Sequence, residues 1–596
     1  MLLFQSALEA HQSGLPHEAE QAYLQVLAED PRHADALHLL GLLYADRGEL
    51  AQAETLIRRA LGIDENSIYL VNLANMLIDQ HRETEGEALL HRAIQLAPGY
   101  AAAHYNIATL FADTERRNEA EAAFRRALDH DADFVPALIN LASLLIGAER
   151  FPEAEPYCRR ALLLDARRER AQHNLGMVLL KTGRHQEAQS VFRRVLELEP
   201  EHCEACNGLA VALMKDYRYE EAESFVRRAL NLDPEHRVAT RNLAHILCMT
   251  HRRAEAEEAY RKVIEREPDS VSEQYALAQH LLTEGRYIEG WQRYEIRYDP
   301  RMEPHAIPTP NVDYPQWQGE SLQGRSLLVW PEQGLGDLLQ FVRYLPLLKA
   351  RGVANLSIAC PRALHSLFEL IEGVDHCIPL DGQHDVPPHD YWCFLMSLPH
   401  RFETTLDTIP ASMPYLRAPE ERIAHWKRRL PASGFKVGLV WAGDPRPHQP
   451  DANAVDQRRS LHALAFLPLL QVPGVTFVSL QKGATTQPQI NDIPSEYRPI
   501  DPMNEVRDFA DTAAIVESLD LVIAVDTSTA HLVGALNKPV WILSRFDACW
   551  RWLERREDSP WYPNARLFRQ TRPGAWDDVI QRVKAALEKQ AAAPDR

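Results

Sequence analysis

Cysteine is sparse: eight in 596 residues, at 158, 203, 206, 248, 360, 377, 393 and 549. That is too few and too scattered for a disulfide scaffold and fits a reducing compartment. Long apolar runs are missing. None approaches the ~18 residues of a membrane helix, and the opening MLLFQSALEAHQ lacks the basic region and apolar length of a signal peptide. Basic charge is in deficit, 65 Lys and Arg against 84 Asp and Glu, for a net charge of −19. This argues against broad nucleic-acid affinity. There is no GxGxxG and no GxxxxGK[ST], so dinucleotide and P-loop readings are poor. No DxD with further carboxylates stands out in the second half, so a metal-dependent transferase is not expected. With 45% hydrophobic and 25% charged residues, the composition is that of a globular, cytoplasmic protein, not of a disordered chain, a collagen or a coiled-coil rod.

What is present in the first half is an internal repeat. Small residues recur at Gly41, Ala74, Ala108, Ala142, Gly176, Ala210, Ala244 and Ala278, and again at Ala19, Ala53, Gly86, Ala120, Ala154, Ala188, Ala222, Ala256 and Gly290. The step in each series is 34 with a single 33. Large apolar residues precede the first set, and Pro31, Pro98, Pro200, Pro234 and Pro268 close several units. A 34-residue helix–turn–helix unit with small residues where helices touch is the tetratricopeptide pattern. About nine units fill residues 1–298, an α-solenoid whose concave surface suits a peptide or protein.

Two side-chain series follow the same step. Asn72, Asn106, Asn140 and Asn174 recur, break at Gly208 and resume at Asn242. An amide can donate to and accept from an extended peptide, so the series is a candidate acceptor-binding ladder; the alternative is a favoured repeat position without function. The second series, Arg58, Arg125, Arg159, Arg193, Arg227 and Arg261, looks like a nucleic-acid stripe. Four residues before each stands Glu54, Glu121, Glu155, Gln189, Glu223 or Glu257. Glu before Arg at i,i+4 stabilises a helix, so the stripe reads as a self-neutralised face. The lone CxxC of Cys203 and Cys206 has no second ligand pair for zinc, and Cys206 falls on an apolar repeat position.

The period changes near Gly290-Trp291. A polar, proline-rich stretch, Asp299 to Glu320, reads as a linker or wrapping segment. Short apolar runs then alternate with helical ones: SLLVW (326–330), NLSIA (355–359) and CFLMS (393–397), and after Pro431 a second set, FKVGLVW (435–441), VTFVSL (475–480), LVIAV (521–525) and PVWIL (539–543). Such runs imply parallel sheets covered on both faces. Two doubly wound lobes in series, 299–430 and 431–596, place ligands at the carboxyl ends of their strands. The loops there carry the chemistry. Gly334-Leu335-Gly336-Asp337 sets a carboxylate at a helix start, where plain capping is the rival explanation. Asp526-Thr527-Ser528-Thr529-Ala530-His531 opens a helix with a hydroxyl-rich first turn, suited to a phosphate. Trp441, Gly443, His448, Arg458, Arg459 and Ser460 follow the second lobe's first strand, and Gln481 and Lys482 end another. Arginine is the fork donor for phosphate oxygens.

These motifs, with GRYIEGWQRYEIRYDPR, EQGLGDLLQFVRYLPLL, SLPHRF, VGLVWAGDP, RRSL, SLQKG, DTAAIVESLDLVIAVDTSTAHLVGALNKPVW and SPWYPNARLFRQ, resemble bacterial tetratricopeptide-containing glycosyltransferases. The second half is similar to heptosyltransferases and, more remotely, to the O-GlcNAc transferase/SPINDLY family. The resemblance implies a GT-B fold of two Rossmann-like lobes, acceptor side first and nucleotide-sugar side second, and an inverting, metal-independent transfer with no cofactor. It places Asp526, Thr527, Ser528 and His531 on the nucleotide-sugar donor, a basic residue matching Arg458-Arg459 on phosphate, and Asp337 as the base. The repeat array departs from lipopolysaccharide heptosyltransferases and implies a protein acceptor, as in flagellin glycosyltransferases. The expected activity is therefore transfer of a sugar from a UDP, ADP, GDP or CMP donor to Ser/Thr of a protein, flagellin being a candidate. The alternatives are an envelope-glycan transferase and a non-catalytic scaffold with a degenerate transferase half.

Overall fold

A computed structural model describes residues 2–302, 307, 309–446, 450–547 and 549–592. By compactness the chain divides into two units, 1–246 and 247–596.

The first unit is a series of antiparallel helix pairs in the 34-residue register. Typical pairs are Ser67–Asp79 with Glu83–Leu96 and Ala101–Asp113 with Arg117–His130. The small residues stand where helices cross. A Cβ on Gly86 would lie 2.5 Å from Ile78 Cγ1, and one on Gly41 2.7 Å from Ile57 Cγ1. The break in the asparagine series at Gly208 has the same cause. The Phe192 ring fills that place, and a Cβ there would sit 2.5 Å from its Cζ. The Glu–Arg pairing is wider than i,i+4. Glu54 accepts from Arg58 and from Arg82 of the next repeat, Glu121 from Arg125 and Arg150, and Glu155 from Arg159 and Arg184. The basic stripe is thus neutralised by carboxylates shared between adjacent repeats. At the exception, Gln189 still accepts from Arg218 (3.1 Å) and donates to Asp216 (2.6 Å). Cys206 is fully buried, and among the described residues no group of three or more His, Cys, Asp or Glu side chains is placed to hold a metal.

The second unit begins with helices that keep the repeat register, Arg253–Arg266, Val271–Thr283 and Tyr287–Tyr294. The register therefore runs to about residue 294, while the compact units part at 246. Aromatic packing accounts for this. Trp291 meets Trp550 edge-on at 5.0 Å and Phe341 at 5.8 Å, so these helices share the core of the sheets that follow.

Those sheets are wholly parallel. The first has the order β3-β2-β1-β4, with β1 Ser326–Trp330, β2 Asn355–Cys360, β3 His376–Pro379 and β4 Tyr391–Phe394. The second has the order β6-β5-β7-β8-β9, with β5 Phe435–Val440, β6 Val475–Ser479, β7 Leu521–Val525, β8 Val540–Ser544 and β9 Ala565–Arg569. β3 and β9 were not anticipated from sequence. β4 ends before the expected CFLMS run does: Leu395–Ser397 is 3-10 helix, because the Met396 N–H turns to donate to Glu332 Oε1 (2.9 Å). The proline-rich stretch wraps one face of the first sheet, with Val312 and Tyr314 against Leu328, Trp392 and Phe394. Trp317 N–H donates to Trp392 O at 2.7 Å. The helix expected after the GLGD turn is broken into Leu335–Phe341, a 3-10 turn and Leu345–Ala350.

Candidate active site

Strand order locates the crevices. In the first sheet the order reverses between β1 and β4, and in the second between β5 and β7. Ligands of open parallel sheets bind outside the carboxyl ends of the strands at such points. The Gly334–Asp337 turn follows β1. The Gly443 loop follows β5, and the Asp526–His531 segment follows β7.

The turns from the two sheets meet. A Cβ on Gly336 would lie 2.9 Å from His531 Cδ2 and 3.4 Å from Ser528 Cα, so only glycine lets them approach this closely. Asp337 is the third residue of the Leu335–Phe341 helix, and its Oδ2 accepts the Gly334 N–H at 2.8 Å. Its Oδ1 is ion-paired with Arg551, which follows β8 in the second lobe. Arg551 also donates to Gln340 Oε1 (2.9 Å) and to Cys549 Sγ (2.9 Å), and lies over the Trp550 ring at 4.1 Å. Burial works against its charge, but Asp337 and its other neighbours more than offset this and raise its pKa.

His531 is buried, stacked on Trp552 at 5.2 Å and hydrogen-bonded through Nδ1 to the Tyr562 hydroxyl at 2.9 Å. Burial pushes its pKa down to about 4, against the opposing fields of Asp526 and Asp337, so it is neutral at pH 7. Thr527 is buried, with its hydroxyl on Val525 O, while Asp526 and Ser528 are half-buried. Non-glycine residues with left-handed backbone stand in the same loops: Gln333 (φ 58°), Arg446 (φ 43°) and Leu553 (φ 52°). The same backbone conformation recurs at the turns within repeats, at His81, Glu115, Glu149, Tyr217 and His251, so it does not by itself mark a site.

A second cluster surrounds Gly443. Its N–H donates to Ser460 Oγ (2.9 Å), and Asp456 accepts from Arg459 Nε (3.0 Å) and from Ser460 Oγ (3.2 Å). A Cβ on Gly443 would strike Asp456 at 2.1 Å. Arg458 pairs with Asp547, which also holds Arg545. His448 lies outside the described residues.

Other candidates serve the fold. The Trp441 indole is fully buried, with its Nε1 donating to Thr486 O at 3.1 Å; it presents no ring face to a ligand. Gln481 is 1% exposed. It accepts from the N–H groups of Trp441 (3.0 Å) and Ala442 (2.9 Å), and donates to Ala442 O and Thr486 Oγ1, so its amide is spent tying the ends of β5 and β6 together. The Lys482 ammonium donates to the carbonyls of Met503 (3.1 Å) and Val506 (2.6 Å), on the rim of a cleft of about 480 Å³. In the array, Asn72 donates to His38, Asn140 to Tyr105, Asn174 to Ser143 and Asn242 to Asn207. One amide donor of each of these asparagines thus links successive repeats; Asn72, Asn106, Asn140 and Asn242 are half-buried and Asn174 is buried.

Sequence reasoning missed the charged residues that frame the site. Arg297, 2% exposed, donates through Nε and Nη2 to Glu332 at 2.6 and 2.8 Å, and through Nη1 to Glu295 at 2.7 Å. It thereby ties the end of the repeat register to the loop after β1. Arg551, Asp456 and Gln340 were missed as well. For Arg551 and Gln340 the only advance signal was a charged or amide side chain inside an otherwise apolar or aromatic run; Asp456, in the polar stretch DANAVDQRRS, had none.

Comparison with known proteins bears on the array. A tetratricopeptide-repeat family pattern matches residues 4–68 and 105–172, and the middle TPR-like domain of cilia and flagella-associated protein 70 matches 147–250. The repeats are tetratricopeptide repeats. The protein FlbA of Caulobacter vibrioides is 31% identical over 344 residues, 54% of this chain and 56% of FlbA, so the chain spans just over half the length of that relative. Among solved structures, YrrB, a TPR protein with an unusual peptide-binding site, is 26% identical over 31% of this chain and 95% of its own, with a TM-score of 0.29. A tetratricopeptide repeat protein from Parabacteroides merdae is 15% identical over 42% and 98%, with a TM-score of 0.33. Pseudomonas aeruginosa pilF is 23% identical over 41% and 96%, with a TM-score of 0.30. Tetratricopeptide arrays bind protein partners, and no helix among the described residues is long and apolar enough to cross a membrane.

Proposed function

We propose that the two sheets of residues 299–596 form a GT-B transferase and that the chain is a protein O-glycosyltransferase. A nucleotide sugar binds at the switch point of the second sheet, at Gly443, Arg458, Arg459 and Ser460 and at Asp526, Thr527, Ser528 and His531. Asp337 takes the proton of a Ser or Thr hydroxyl on an acceptor protein selected by the repeats, with flagellin as a candidate. Transfer inverts the anomeric centre without a metal. The observation that carries this reading is the meeting of the two turns. Carboxyl-end loops of two separate parallel sheets converge at Gly336, Ser528 and His531, where a base from one lobe faces a phosphate-type helix start from the other.

A second reading, a scaffold with a spent transferase half, draws on the engagement of Asp337, Arg459 and Lys482 by protein partners. Thermal unfolding with UDP, ADP, GDP, CDP and CMP separates the two. All 11 tryptophans lie between residues 291 and 576, so their fluorescence reports the sheet-bearing unit alone. At 100 times Kd a ligand adds about 2.7 kcal/mol. The transferase reading expects one nucleotide to raise the midpoint and Arg459→Ala or Asp526→Ala to abolish the rise. No shift with any nucleotide returns the scaffold.

A further inference from the structure

A carboxylate that acts as a base needs an oxygen turned to the incoming hydroxyl, and both oxygens of Asp337 are already engaged, one of them by a cation that lowers its basicity. Oδ2 holds the Gly334 N–H, and Oδ1 holds Arg551. The first bond is local capping. The second comes from the other lobe and is the one that can be exchanged. Among the contacts of the Arg551 guanidinium only Asp337 is anionic; Gln340 Oε1, Cys549 Sγ and the Trp550 ring are neutral. Donors around it exceed acceptors. Gln340 is fully buried and its Nε2 has no hydrogen-bond partner, and Trp552, fully buried and stacked on His531, has none for its Nε1. Buried N–H groups without acceptors are rare in folded proteins. A guanidinium flanked by unspent donors calls for an oxyanion, and phosphate takes the arginine fork with oxygens to spare.

We propose that Arg551 keeps Asp337 in reserve and that the phosphate of the nucleotide-sugar donor takes Arg551 over, releasing the carboxylate. The inference rests on the transferase reading and adds to it an order of events: donor first, base second. With Arg551 on the phosphate, Asp337 Oδ1 accepts the proton of the acceptor hydroxyl as that oxygen bonds to the anomeric carbon. The bond from that carbon to the phosphate oxygen breaks, and its electron pair leaves with the nucleotide, where Arg551 meets the added charge. Without donor the base stays paired, which suppresses futile proton transfer.

Carbodiimide coupling of glycine ethyl ester to the full chain, read at Asp337 by peptide mass spectrometry, tests the exchange without any need for turnover. The probes are inorganic pyrophosphate, UDP, ADP, GDP and CMP, with binding followed in parallel by tryptophan-detected melting. A probe that binds is expected to raise labelling of Asp337 several-fold. Arg551→Gln should label at the raised level without any probe and show no further response. Arg551→Lys, which keeps the charge and loses the fork, should fall between and guards against misfolding of the first variant. Binding of a probe with Asp337 labelling unchanged overturns the exchange and leaves the donor site standing. Failure of every probe to bind overturns the donor site and the exchange together.

Discussion

Replacing Glu332 by alanine removes three hydrogen bonds at once: two from Arg297, at 2.6 and 2.8 Å, and one from the Met396 N–H, at 2.9 Å. Arg297 retains Glu295 at 2.7 Å, Ser397 Oγ at 2.9 Å and the Tyr294 carbonyl at 3.1 Å. Both ends of the broken pair are dry, with the side chains of Arg297 and Glu332 at 1% and 0% exposure. Removing one partner of a buried pair costs roughly 3–5 kcal/mol; here Arg297 loses its two-point partner and keeps Glu295 as its one carboxylate, and the Met396 N–H is left without its acceptor. For a unit of this size 1 kcal/mol moves the midpoint by roughly 2 °C, so melting of the sheet-bearing unit falls by roughly 6–10 °C. Tryptophan fluorescence isolates that unit, and far-ultraviolet circular dichroism adds the array, whose nearest-neighbour core is untouched. The double variant Arg297→Met with Glu332→Leu should recover only part of the loss: an apolar pair of similar size avoids the desolvation cost, but Glu295 and the Met396 N–H lose their partners. A loss below about 1 kcal/mol in Glu332→Ala refutes the reasoning, because Glu295 alone would then satisfy the buried charge.

Gly208→Ala drives a Cβ to 2.5 Å from Phe192 Cζ. Overpacking of this kind costs about 1–3 kcal/mol, visible by circular dichroism but not by tryptophan fluorescence; an unchanged helical transition contradicts it. Acid should weaken both units. Burial holds His38 in the array, and His280 and His531 in the sheet-bearing unit, neutral down to about pH 4. Their unfolded counterparts take up protons from about pH 6.5. Their contribution is therefore complete above about pH 6.5 and is lost as the pH falls toward 4, by up to about 3 kcal/mol for each histidine. A urea midpoint that stays flat from pH 7 to 4.5 contradicts this.

The array was legible because a 34-residue period repeats the same steric demand many times, so that even the interruption at Gly208 has a packing cause. Central strands such as β7, with all five residues buried, stand out as unbroken apolar runs. Edge strands do not. β3 has four residues of which one is buried, and β9 carries charged residues at both Arg566 and Arg569, so neither gives a run long enough to read. The loops that meet at Gly336 were singled out from glycine turns and hydroxyl-rich helix starts. Their partners were not. The Arg551–Asp337 pair spans 214 residues and the Arg297–Glu332 pair 35, and no local pattern marks an ion pair between elements that fold together from distant parts of the chain. The same limit explains Trp441 and Gln481. Their position at strand ends suggested a ligand, whereas burial and hydrogen-bond satisfaction assign them to the wall of the second sheet.

The most direct test of the account is nucleotide release from sugar donors by the full chain and by Asp337→Asn, with donor affinity measured alongside. General-base assistance is worth about 100- to 10,000-fold. The variant keeps the size and the cap of Asp337, so it is expected to bind the donor and release nucleotide at least about 100-fold more slowly, with no change on adding EDTA, Mg or Mn to either protein. Equal release rates in the two proteins at matched donor occupancy, with flagellin supplied as the candidate acceptor, contradict the account.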